Sequence, residues 1–158
     1  MIIIGYFQIG KTSLAKKNKN YIDLDQYQFF IKGKRDASNW YIPYCQLAEY
    51  LSKQGHKVLV CAHSDVVEYF SKSSEQVMAI CPHPNLLREG KWIDKYKDGL
   101  RAHKETDEQF IDLRVSKTDW NKVAEFVYSI SMAFQHTIYI TSMNYDLEAI
   151  LSNNIFEV

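Results

Sequence analysis

Gly5-Tyr6-Phe7-Gln8-Ile9-Gly10-Lys11-Thr12 follows directly on the apolar run Ile2-Ile3-Ile4. It fits the spacing G-x-x-x-x-G-K-[ST] at every fixed position. Glycines let a backbone curl until consecutive N–H groups point inward at anionic oxygens. A helix starting just after the loop adds its positive end. A lysine at position 11 supplies a point charge for phosphate oxygens. A hydroxyl at position 12, with Ser13 beside it, can ligate the magnesium ion that accompanies a nucleotide phosphate chain. Gln8 and Ile9 carry no particular demand under this reading. With ordinary residue usage the spacing arises by chance in roughly one chain in 200 of this length. A strand signal before it and a helix-compatible run after it therefore favour a phosphate cradle, residues 5–13, over a plain glycine turn.

Outward from the loop, Tyr21-Ile22-Asp23-Leu24-Asp25 places two acids two residues apart at the end of a second strand. Period-two spacing puts both on one side of that strand. One acid can hold magnesium, and the other can orient a hydroxyl or accept its proton. Solvated acids at a strand end are the plain alternative. Lys34 and Arg35 follow, a basic pair suited to an acceptor's phosphate or to a solvated loop.

The remaining pattern alternates strands and helices. Lys57–Ala62, Val77–Cys81 and Thr137–Thr141 read as further strands. Asn39–Gln54 reads as a helix with Trp40, Tyr44, Leu47 and Leu51 on one face and Gly55 as its stop. Ser64 is expected to cap a helix to about Ser71. Asn85–Leu100 reads as one charged helix, and Thr106 with Gln109 has capping-box spacing for the next. Trp120–Phe134 is a longer helix, and the last lies near Tyr145–Leu151. This order predicts a three-layer α/β domain over residues 1–158. Its sheet has five strands, mainly parallel, with helices on both faces and a small helical lid at about 85–115. Ligands of such sheets bind beyond the carboxyl ends of the strands.

Composition narrows the function classes. Of 158 residues, 46% are hydrophobic and 14% aromatic, enough for a sizeable core, and 19 basic residues balance 19 acidic ones. That neutrality speaks against a dedicated nucleic-acid binder. No apolar run approaches the roughly 20 residues that span a bilayer, so a cytoplasmic location and no membrane partner are expected. Cys45, Cys61 and Cys81 have no disulfide-framework spacing and read as reduced, buried thiols. The pairs Cys61/His63 and Cys81/His83 invite a zinc reading. It is set aside, because in the common strand order the first strand separates them.

With these residues in view, the chain resembles the nucleoside-monophosphate-kinase-like superfamily of P-loop proteins, and within it the small phage-type (deoxy)nucleotide kinases. The likeness rests on the loop near the N-terminus, the Asp-x-Asp, and Val58-Leu59-Val60-Cys61-Ala62-His63. It extends to Cys81-Pro82, an aromatic and basic segment after it, Asp107-Glu108-Gln109-Phe110-Ile111, and Trp120. The resemblance implies an ATP-dependent phosphotransferase using Mg²⁺. The implied catalytic set is Lys11, Asp23, Asp25, Arg88 and Arg101, with Thr12 and Asp23 on the metal. Asp25, Lys34, Arg35 and His63 would meet a small phosphate acceptor, expected to be a nucleoside or deoxynucleoside monophosphate. Lys95 and Lys97 stand where related kinases show arginines, and lysine makes no bidentate fork with phosphate. The alternatives are a small-metabolite kinase of the shikimate or gluconate type and a non-catalytic ATP-binding regulatory protein. No Asn/Thr-Lys-x-Asp guanine motif points to a signalling GTPase.

Overall fold

The computed structural model describes residues 1–26, 39–102 and 107–155. The elements are β1 (Ile2–Gly5), α1 (Lys11–Lys17), β2 (Tyr21–Asp23), a 3-10 turn (Leu24–Gln26), α2 (Tyr41–Lys53), β3 (Lys57–Cys61) and α3 (Ser64–Ser71). They continue with β4 (Val77–Pro82), α4 (Pro84–Arg88), α5 (Ile93–Ala102), α6 (Glu108–Lys117), α7 (Trp120–Ala133), β5 (Thr137–Ile140) and α8 (Leu147–Asn154). The five strands form one sheet in the order β2-β3-β1-β4-β5, and every pairing is parallel. The chain is thus an α/β protein.

Alternation along the strands builds two cores, one on each face. Ile2, Ile4, Val58, Val60, Ala79 and Cys81 face Tyr44, Cys45 and Ala48 of α2, Val66 and Phe70 of α3, and Ala124, Val127 and Ile130 of α7. Ile3, Leu59, Met78 and Ile80 face Leu14 and Ala15 of α1 and Leu147 and Leu151 of α8. Both faces are covered, so the strands read as continuous apolar runs. Ile2, Ile3 and Ile4 are all 0% exposed, and such burial contributes about 1.5–3 kcal/mol per side chain.

β1 sits in the middle, with β3 on one side and β4 on the other. The helix that follows β1 covers one face and the helix that follows the adjacent β3 covers the other, so a crevice opens at the carboxyl ends of these two strands. Gly5 ends β1 there, and the 5–12 loop occupies the crevice. The same order puts β1 between Cys61 and Cys81, as expected.

Four local readings differ from the structure. The span Asn85–Leu100 is two helices, because Gly90 (φ 73°) takes the left-handed position that ends α4. Lys91 N–H donates to Leu86 O at 3.0 Å and Gly90 N–H to Leu87 O at 3.2 Å, a Schellman closure. The cap of α3 is His63, whose Nδ1 accepts from Asp65 N–H, and Ser64 is the first helical residue. Asp107 caps α6; the expected capping residue Thr106 lies outside the described residues. Asp25 belongs to the 3-10 turn, so strand alternation is not what sets it beside Asp23. Among the described residues no helix is long and apolar enough to cross a membrane.

Candidate functional site

The loop folds around Lys11. A Cβ on Gly5 would lie 2.8 Å from Lys11 Cδ, so the lysine stem runs directly over the glycine. Lys11 Nζ donates to Gly5 O at 2.8 Å and to Tyr6 O at 3.4 Å. Gly10, at φ 109°, turns the chain into α1, and its carbonyl accepts the first helical bond from Leu14 at 3.0 Å. The N–H groups of Lys11, Thr12 and Ser13 lie in the first turn, where no intrahelical acceptor exists.

The loop's outer side is tied to two distant segments. Tyr6 N–H donates to Ile80 O, and Ile9 N–H to Tyr6 O. Trp92 Nε1 donates to Phe7 O at 3.3 Å, and the Tyr145 hydroxyl donates to Ile9 O at 2.9 Å. The Phe7 ring meets Tyr96 edge-on at 5.8 Å. Gly99 of α5 lies so close that a Cβ there would come within 2.5 Å of Gln8 and Phe7. Gln8 itself holds a left-handed backbone, φ 64°, which a side chain makes costly.

The acid pair joins the loop through Thr12. Thr12 Oγ1 donates to Asp23 Oδ2 at 2.7 Å, and Asp25 N–H donates to Asp23 Oδ1 at 3.0 Å. Asp23 is 1% exposed. Burial raises its carboxyl above the ordinary value, against the lowering effect of the Thr12 hydrogen bond. Asp25 is exposed, and its Oδ1 accepts from the Tyr44 hydroxyl at 2.9 Å. That hydroxyl in turn accepts from Cys61 N–H at 2.8 Å. Burial pushes the Tyr44 phenol far up, so it stays a proton donor to Asp25.

Other expected residues are scattered. His63 lies just past β3 and packs its ring edge-on to Trp40 at 5.1 Å, with no bond to either acid among the described residues. Arg101 is exposed and held by Glu108, at 2.9 and 3.0 Å, and by Asp98 at 3.0 Å. Arg88 ends α4 and is exposed. Lys97 pairs with Asp112 at 3.2 Å. Lys34 and Arg35 lie outside the described residues. The structure therefore joins Lys11, Thr12, Asp23 and Asp25, and leaves Arg88, Arg101 and His63 apart from them.

A cavity of about 270 Å³ opens beside the loop, lined by Gly10, Ser13, Lys95, Met143, Tyr145 and Asp146 among others. Lys95 Nζ sits 4.9 Å from the Tyr145 ring centre and 5.5 Å from that of Trp92, at the cavity's rim. A larger open groove of about 540 Å³ runs between α2 and α3, lined by Tyr41, Glu49, Asp65 and Tyr69, and shares no residue with the loop. Size alone does not make it the site, since the 5–12 loop and the acid pair lie elsewhere.

The donor set suits one metal class. Thr12 Oγ1 and Asp23 offer hard oxygens, which favour Mg²⁺ over softer ions. Among the described residues no group of three His, Cys, Asp or Glu is arranged to hold a metal. A site of one or two protein oxygens plus substrate phosphates is the usual form for Mg²⁺.

No protein-family model, curated protein or solved structure matches this chain. Sequence reasoning missed Trp92, Tyr145 and Tyr44 as site residues. Apolar patterning marked Tyr44 as core, but only the fold brings its hydroxyl to Asp25.

Proposed function

We propose that this chain is a P-loop kinase that transfers the γ-phosphoryl group of ATP to a nucleoside or deoxynucleoside monophosphate. One observation carries the reading. The G-x-x-x-x-G-K-[ST] loop closes on Lys11 at the sheet's switch point, with Thr12 bonded to the buried Asp23.

The phosphate chain lies in the loop. Lys11 Nζ exchanges the Gly5 and Tyr6 carbonyls for the β- and γ-phosphate oxygens, where it offsets the charge that builds in the transition state. Thr12 and Asp23 would hold Mg²⁺, which when bound would offset the negative charge of the phosphate chain. Asp25, fixed by Tyr44, orients the acceptor phosphate, whose attacking oxygen is already ionised at neutral pH. The acceptor oxygen then bonds to the γ-phosphorus as the bond to the β,γ-bridging oxygen breaks, leaving ADP. The cavity beside Gly10, Tyr145 and Lys95 takes the nucleotide's base and ribose. Arg88 and Lys95 supply lid charge, and Arg101 joins them only by leaving Glu108 and Asp98.

That engagement of Arg101 favours one second reading, an ATP-binding regulatory protein that does not transfer phosphate. A product screen separates the two. Purified protein with Mg-ATP and each monophosphate is followed for ADP and for phosphorylated product. The kinase reading expects product with at least one acceptor. It also expects Lys11→Ala to lower kcat/KM by about 10²–10³-fold while the variant still unfolds cooperatively, its midpoint lowered only by the loss of the Lys11 bonds to Gly5 and Tyr6. Equal turnover in Lys11→Ala sinks the assignment, and ATP binding without product supports the regulatory one.

A further inference from the structure

Two side chains far apart in sequence grip the outer side of the loop at alternate carbonyls. Trp92 Nε1 donates to Phe7 O at 3.3 Å, and the Tyr145 hydroxyl donates to Ile9 O at 2.9 Å. In a trans peptide the carbonyl of one residue and the N–H of the next point to opposite sides, and no peptide bond among the described residues is cis. Drawing the Phe7 carbonyl toward Trp92 turns the Gln8 N–H away from Trp92. Drawing the Ile9 carbonyl toward Tyr145 turns the Gly10 N–H away from Tyr145.

We propose that Trp92 and Tyr145 are positioning residues of the phosphate cradle, aiming the Gln8 and Gly10 amides at the bound phosphate chain. The inference rests on the P-loop reading above. Two further observations support it. Gln8, whose N–H shares the peptide with the Phe7 carbonyl, holds a left-handed φ of 64°. Such a backbone persists only where its surroundings over-determine it, and the Trp92 bond to the preceding carbonyl is one such restraint. The two anchors also brace each other. Their rings stack, with centroids 6.4 Å apart and planes 13° from parallel. Lys95 lies over both rings. Trp92 is 1% exposed and immediately precedes α5, while Tyr145 precedes α8. The start of the lid helix and the segment after β5 are thereby fastened to the same loop.

The test uses inorganic tripolyphosphate, which has no base to touch the Tyr145 ring. Trp92→Phe and Tyr145→Phe each keep an aromatic ring and remove one donor. Titration calorimetry is expected to show affinity weakened about three- to tenfold in each variant, the range for one lost hydrogen bond. Backbone amide NMR adds a readout that a merely structural role would not move. Tripolyphosphate should shift the Gln8 and Gly10 signals in the wild type. Trp92→Phe should lose most of the Gln8 shift, and Tyr145→Phe most of the Gly10 shift. Ligand-free melting checks that each variant folds; if Trp92→Phe does not, Tyr145→Phe decides alone. Unchanged affinity and unchanged amide shifts overturn the positioning role while the P-loop reading stands, provided Lys11→Ala abolishes wild-type binding. Failure of the wild type to bind either tripolyphosphate or Mg-ATP overturns both.

Discussion

At the scale of single residues, Gln8 stands out because no motif or periodicity marks it. Its left-handed φ of 64° costs a side-chain-bearing residue about 1–2 kcal/mol. Gln8→Gly relieves that strain but loses the contact with Gly99 and adds chain entropy of about 0.5–1 kcal/mol. The expected net change is within about 1 kcal/mol. Gln8→Val forces a β-branched residue into the same region and should cost about 1–2 kcal/mol or more in urea unfolding. Equal stabilities for the two variants would show that the turn relaxes. Lys11 and Asp23 contrast with Gln8. Spacing marked both, and the structure joins them through Thr12 and the loop. Asp25 was also marked, though the reason for its placement is the 3-10 turn and the Tyr44 hydroxyl.

At the scale of elements, α5 is pinned from two sides. Gly99 lets it lie against the loop, and Arg101 at its end clasps Glu108 at the start of α6. The Arg101 hydrogen bond, aided by nearby Lys97, holds the Glu108 carboxyl below its ordinary 4.5. Its folded pKa is depressed, so the clasp's contribution is present above the unfolded value and lost as pH falls through the folded one. Glu108→Gln should therefore melt below the wild type at pH 7. The gap should close in acid as pH falls through the depressed folded value, and shrink in high salt because the pair is exposed. A gap that persists unchanged in acid would assign the loss to something other than the carboxylate's charge. Helix existence was legible in the apolar periodicity. The break at Gly90 was not, because an isolated glycine inside a helical pattern can be tolerated or can cap. Here the carbonyls of Leu86 and Leu87 decide for the cap.

At the scale of the whole molecule, a ligand that binds only the folded chain stabilises it by mass action. Mg-ATP at a hundredfold excess over Kd should add about 2.7 kcal/mol. That is a rise of about 5–10 °C in the melting midpoint for a chain of this size. Lys11→Ala should lose the rise, and a wild type indifferent to Mg-ATP would contradict the proposed function. The α/β class, the five strands, the loop and the acid pair were all legible along the chain, because buried strands and glycine-lysine spacing are local signals. The strand order β2-β3-β1-β4-β5, which puts β1 at the switch point and the loop in the crevice, emerges from packing across the whole fold. The same packing decides that Tyr44 reaches Asp25, that Trp92 and Tyr145 grip the loop, and that Arg101 is taken by Glu108. Those partners lie between 7 and 136 positions apart in the chain, and no local pattern encodes a meeting that packing alone brings about.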